Sequence, residues 1–103
     1  MIITWSQKAR ESASEISIYI FSEFGSKASN KFLQSIEKTI NVLKCNPFAG
    51  RIEPLLCGSK NEYRSLVVNK INKLVYRIEN DTIVIVALWD TRREPKKLAE
   101  GME

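Results

Sequence analysis

Two amphipathic helical stripes separated by a single glycine constrain this chain more than any other feature of its sequence. Ala9, Ala13, Ile16, Ile20 and Phe24 recur at steps of four, three, four and four, which lines one face of a helix. Gly25 breaks the pattern and Ser26 can cap a new helix. Phe32, Leu33, Ile36, Ile40 and Leu43 then form a second stripe, ended by Asn46-Pro47, because the residue before proline disfavours helix and proline has no N–H to donate. Helices joined by about two residues must turn back on each other. The expected product is an antiparallel hairpin with an apolar side that the rest of the chain must cover.

The rest of the chain is strand-like. Ile2–Trp5 is β-branched and aromatic, and Ser6 after it is a natural helix N-cap. Residues 47–61 carry Pro47, Gly50, Pro54 and Gly58, the punctuation of a loop with room for one helical turn. Three strands are expected beyond it. Tyr63–Val68 leads through Asn69-Lys70 to Lys73–Ile78, and Glu79-Asn80-Asp81 turns into Thr82–Trp89. Short connections make these an antiparallel meander. The last strand is apolar at successive positions, so it belongs inside the sheet. The N-terminal strand is its natural second neighbour, expected to run antiparallel to it. This predicts one α+β domain over residues 1–103 with two layers, element order β-α-α-β-β-β, sheet order 1-4-3-2 and both helices on one face. Pro95–Glu103 has the pattern of a short terminal helix.

Composition narrows the chemistry. There is no histidine, which removes Ser–His and Cys–His nucleophilic systems. Two cysteines, Cys45 and Cys57, do not make a zinc ligand set. They are expected to be small semi-buried thiols without a disulfide in a reducing compartment. No Walker loop or GxGxxG string is present, so no metal or other cofactor is expected. Glu11 and Glu15 sit four apart, the pattern of a solvated helix face. No secretory pattern opens the chain and no apolar run is long enough to cross a bilayer, so a cytoplasmic protein without membrane contact is expected. A net charge of +4 and a pI near 9.2 suit nucleic acid, the ribosome or an acidic protein.

The candidate functional residues are arginines on rigid elements. Arg64 follows Tyr63, Arg77 follows Tyr76, Arg92-Arg93 follows the last strand and its Trp89, and Arg51 follows Pro47-Phe48-Ala49-Gly50. A guanidinium binds phosphate or carboxylate through planar paired donors. Strand alternation puts Arg64 with Leu66 and Val68, and Arg77 with Lys73 and Val75. It does not say whether those two sides coincide. The alternative is that Arg64 and Arg77 pair with helix carboxylates such as Glu37 or Glu23. Tyr63, Tyr76 and Trp89 suit sheet packing better than base stacking.

Several strings, in order, resemble a known family. Asn46-Pro47-Phe48-Ala49-Gly50-Arg51 resembles its N-P-x-x-G-R segment, and Tyr63-Arg64-Ser65-Leu66-Val67-Val68 its R-S-L-x-V strand. Leu74-Val75-Tyr76-Arg77-Ile78 resembles I-x-Y-R-I/V, and Trp89 to Pro95 its terminal R-R-x-P signature. With Trp5-Ser6 at the first strand–helix junction, these strings mark a resemblance to the RelE/ParE toxin superfamily, including plasmid stabilisation proteins. The resemblance implies the fold above and a cognate antitoxin partner. It implies growth inhibition either by ParE-like binding to DNA gyrase or by RelE-like, metal-independent mRNA cleavage on the ribosome; the further alternative is a non-toxic binding module of the same fold. Nuclease members often place histidine or tyrosine near the C-terminus, and this chain has no tyrosine after Arg93. The strings around Arg64 and Arg92-Arg93 are closer to the ParE-like branch. If the chain is a nuclease, Arg64, Arg77 and Arg93 are the catalytic candidates, with Lys70 and Lys73 beside them. Arg51, Arg64, Trp89, Arg92 and Arg93 are the candidates for target or antitoxin binding.

Overall fold

The computed structural model describes residues 1–58 and 60–91. β1 is Ile2–Trp5, α1 Gln7–Phe24, α2 Ser26–Cys45, β2 Arg51–Ile52, β3 Arg64–Val67, β4 Asn72–Glu79 and β5 Thr82–Asp90, with a 3-10 turn at Pro54–Leu56. The helices start and stop where local chemistry says they should. The Ser6 hydroxyl accepts the Ala9 N–H at 3.0 Å, relieving one of the free donors of the first turn. Gly25 sits at φ 89° between the helices, a left-handed backbone that glycine adopts without a Cβ penalty. Asn46, extended at φ −147°, ends α2 before Pro47.

The five strands form one sheet in the order β1-β5-β4-β3-β2. The expected order of the four foreseen strands is borne out, with two corrections. A fifth strand, β2, pairs antiparallel with β3 at the far edge (Arg51 opposite Ser65, Ile52 opposite Arg64). And β1 runs parallel to β5, Ile2 opposite Thr82 and Trp5 opposite Ile85, where an antiparallel pair was expected. The two departures share one cause. β2 inserts an extra reversal before the meander, and one extra reversal inverts the direction of β3, β4 and β5 relative to β1.

Both helices cover one face of the sheet. Ala9, Phe32, Ile36 and Leu43 meet Leu74, Tyr76, Ile83, Ile85 and Leu88 there. The other face holds Val75, Val86, Ala87 and Trp89 beneath Leu56 and Tyr63 from the long loop. Burying a leucine or isoleucine side chain in such a layer contributes about 1.5–3 kcal/mol. Coverage on both faces explains the unbroken apolar run of β5. A bulge sharpens this. Val75 lies opposite Ala87 and Tyr76 opposite Ile85, so Val86 is the extra residue. Ile83 and Ile85 face the helices before the bulge, and Leu88 faces them after it.

Cys45 and Cys57 are both free and exposed rather than semi-buried. No described helix is long and apolar enough to cross a membrane. The expected helix at Pro95–Glu103 lies outside the described residues.

Candidate functional site

Three of the sequence strings fold into one cluster at the β3–β4 edge. The Asn46 side chain accepts the Phe48 N–H at 3.1 Å and the Asn46 carbonyl accepts the Ala49 N–H at 3.0 Å, a turn closed by asparagine on its own backbone. That turn lays Gly50 against the sheet. The Gly50 N–H donates to the Tyr76 hydroxyl at 2.9 Å, and the hydroxyl donates to the Pro47 carbonyl at 2.8 Å. A Cβ at Gly50 would sit 2.7 Å from both the Ser65 carbonyl oxygen and the Tyr76 hydroxyl. Glycine is required here by close approach of the backbone. Burial pushes the Tyr76 phenol above its ordinary pKa, only partly offset by the Gly50 amide and the Arg64 charge. It therefore stays protonated near neutral pH and keeps its donor role. Tyr76 is the pin that holds the Asn46–Arg51 segment.

Arg64 completes the cluster. One guanidinium nitrogen donates to the Gly50 carbonyl at 3.0 Å, another to Glu62 at 3.3 Å. Its Cζ lies 5.0 Å from the centre of the Phe48 ring, within cation–π range. Arg77 donates to Glu79 at 3.2 Å. Neither arginine takes a helix carboxylate; both pair with carboxylates two residues away. Arg64 shares the helix side of the sheet with Leu66, whereas Arg77 shares the opposite side with Val75. Their side chains nevertheless converge at the sheet edge. Phe48, Lys60, Glu62, Arg64, Arg77 and Glu79 line a recess of about 630 Å³. Three cations and two carboxylates leave it net positive.

A second polar cluster lies under the long loop, and sequence reasoning missed half of it. Glu53 is buried and bonded to the Lys73 ammonium. It also accepts the Leu55 N–H at 2.9 Å and a bond from the Ser65 hydroxyl. Burial alone raises its pKa, but the Lys73, Leu55 and Ser65 contacts together hold the carboxyl below its ordinary value. Lys73 appeared among the catalytic alternatives; Glu53 did not. Its signal was the Glu53-Pro54 pair, an N-cap followed by proline at the first helical position.

The remaining candidates are spread out. Arg51 is exposed on β2. Lys70 is exposed in the β3–β4 turn, where the Asn69 side chain accepts the Ile71 and Asn72 N–H groups, each at 2.9 Å. Trp89 is buried in the cluster on the loop-covered face. Arg92 and Arg93 lie outside the described residues. On the helix side, an apolar groove of about 380 Å³ runs between α1 (Ile16, Tyr19, Phe24) and the sheet end (Ile71, Leu88). Ile18 and Phe21 stand exposed on α1.

The model of a protein family described as the ParE toxin of the type II toxin–antitoxin system parDE matches residues 3–95. Among solved structures, the chain is similar to a chromosomal ParDE toxin–antitoxin system from P. aeruginosa at 20% identity and a TM-score of 0.69, over 87% of this chain and 95% of that one. It is similar to a YoeB/ParE toxin from Agrobacterium tumefaciens at 19% identity and 0.61, over 87% and 98%. It is also similar to a YoeB–YefM complex from Staphylococcus aureus at 21% identity and 0.53, over 85% and 93%. No curated protein sequence matches the chain.

Proposed function

The chain belongs to the ParE toxin family of type II toxin–antitoxin systems, and from that premise we propose that it inhibits growth in the cytoplasm by binding DNA gyrase and is neutralised by a cognate antitoxin. The observation that carries the choice of target is the state of Glu53 and Lys73. A hydrolytic centre needs an acid or base within reach of a substrate proton. Glu53, a buried carboxylate held against this sheet by the loop, is enclosed and bonded to Lys73, Leu55 and Ser65. Tyr76 is equally enclosed, its hydroxyl committed to Gly50 and Pro47. Both serve packing, which supports a toxin acting by contact. Arg51, Arg64 and the Arg92-Arg93 pair are the proposed contact residues, with Trp89 setting the strand that precedes that pair.

The antitoxin part of the proposal is supported by the toxin–antitoxin complexes among the similar structures. It is also supported by the apolar groove beside α1, a surface suited to a segment that folds on binding. RelE-like cleavage of ribosome-bound mRNA is the second reading, favoured by the recess that gathers Lys60, Arg64 and Arg77, cations suited to a phosphate backbone. The two separate in one experiment. Purified protein is added to a gyrase supercoiling reaction and, in parallel, to ribosomes programmed with a message. Gyrase binding predicts lost supercoiling and an intact message. New 5′ ends on the message together with normal supercoiling would overturn it.

A further inference from the structure

We propose that the recess at the β3–β4 edge is a binding site for one nucleotide unit of a single strand, its base stacked on Phe48 and its phosphate held by Arg77 and Lys60. This goes beyond the gyrase reading and does not depend on it. The site itself is argued from its own residues.

The recess has the size of a small-ligand pocket, about 630 Å³. Its walls combine an aromatic ring with cations, the pairing that single-stranded nucleic acid uses. Phe48 is 62% exposed although it lies at the edge of a built cluster. Its backbone is fixed by the Asn46 turn and by the Tyr76 pin behind it. Arg64 lies over one face of the ring, Cζ 5.0 Å from its centre, so the platform carries positive charge and the base takes the other face. The other cations are placed differently. Arg64 is tied to the Gly50 carbonyl, whereas Arg77 pairs with Glu79, a carboxylate 60% exposed. A surface pair of this kind contributes about 0–1 kcal/mol. A phosphate, with more charge and more acceptor oxygens, displaces Glu79 at little cost. A simple carboxylate ligand would leave the Phe48 ring unused. The aromatic and cationic walls together favour a ligand with both a flat ring and an anion.

The test is fluorescence anisotropy of a labelled single-stranded DNA oligonucleotide of about ten nucleotides, a length covering one binding site, with the purified full chain at low and moderate salt. The proposal expects saturable binding that weakens as salt rises. Phe48→Ala should weaken it about tenfold, the loss of one stacked base. Arg77→Gln should weaken it and lower the slope of log K against log salt by about 0.7, one phosphate contact on a single strand. Glu79→Gln removes the competing carboxylate and should tighten binding about two- to fivefold. Lys38→Gln, the same loss of charge on α2, is the control and should leave binding near wild type. A 5′-mononucleotide that competes at the same site assigns the recess to free nucleotides, and binding by the oligonucleotide alone assigns it to a strand; either outcome supports the site. Absence of binding at low salt overturns it. So does an Arg77→Gln effect no larger than that of Lys38→Gln, an unaffected Phe48→Ala, or binding of an acidic peptide in place of the oligonucleotide. Circular dichroism confirms that each variant folds. Supercoiling inhibition is read separately, so loss of gyrase activity and loss of nucleotide binding are distinguishable.

Discussion

Replacing Tyr76 by phenylalanine removes one oxygen atom and, with it, the pin of the Asn46–Arg51 segment. The magnitude follows from the two bonds that oxygen makes. Gly50 is buried, and its N–H donates to the hydroxyl at 2.9 Å. Without the acceptor that N–H is stranded, at about 1–3 kcal/mol. The Pro47 carbonyl, 2.8 Å from the hydroxyl, is half-buried, so water replaces much of that bond and its loss costs about 0.5–1 kcal/mol. The sum is about 1.5–4 kcal/mol. For a domain of this size that lowers Tm by about 10–20 °C, a large share of a total stability of about 5–15 kcal/mol. Urea and thermal unfolding followed by circular dichroism measure it. A double-mutant cycle with Gly50→Ala tests the mechanism. The new Cβ would meet the Ser65 carbonyl and the Tyr76 hydroxyl at 2.7 Å, costing about 1–3 kcal/mol alone. Because both changes open the same contact, the double variant should lose less than the sum of the singles. A Tyr76→Phe cost under about 0.5 kcal/mol, or strict additivity, would refute the idea of a single pin.

Further predictions rest on other contacts. Glu53→Gln leaves the Lys73 ammonium facing a neutral amide and should destabilise the fold by about 3 kcal/mol at neutral pH, read by urea unfolding. The folded-state pKa of Glu53 lies below its ordinary value of 4.5, so its contribution is present above that pH and is lost as pH falls through the folded value. The stability gap between wild type and Glu53→Gln should therefore narrow in acid, and a gap that widens there would reverse the sign of the argument. Ser6→Ala removes the cap of α1 and should cost about 1 kcal/mol in the same assay. Arg64→Ala should lower both the melting temperature and gyrase inhibition, because Arg64 ties Gly50 and stacks on Phe48; a variant with unchanged toxicity would remove Arg64 from the contact surface.

Helices, strands and strand order were legible because hydrophobic period reports burial directly. The stripes from Ala9 to Phe24 and from Phe32 to Leu43 became α1 and α2, and the apolar run of β5 reported its covered faces. Strand direction was not legible, since it depends on counting reversals, and β2 is only two residues long, Arg51–Ile52. A two-residue strand has no period to detect. The site was legible as residues and illegible as roles. Arg64 and Arg77 stood out as strand arginines, yet alternation within each strand could not say whether they share a face, and gave no hint that they converge at the edge from opposite faces. The tyrosine beside Arg77 looked like a packing residue and is one, but its hydrogen bonds to Pro47 and Gly50 span 29 and 26 positions. Sequence spacing does not encode such pairings. Glu53 escaped notice because a buried carboxylate looks, in sequence, like any loop glutamate.

The parallel pairing of β1 with β5 has a consequence for how the chain is made. β1 precedes its strand partner by most of the described chain, with Ser6 and Val86 bonded across 80 positions. Until Thr82–Asp90 has been synthesised, Ile3 and Trp5 have no neighbour strand and the helical hairpin has no complete surface to close on. Contacts of such long span form late and slow folding. The sheet is therefore complete only once β5 is available to join β1 to β4.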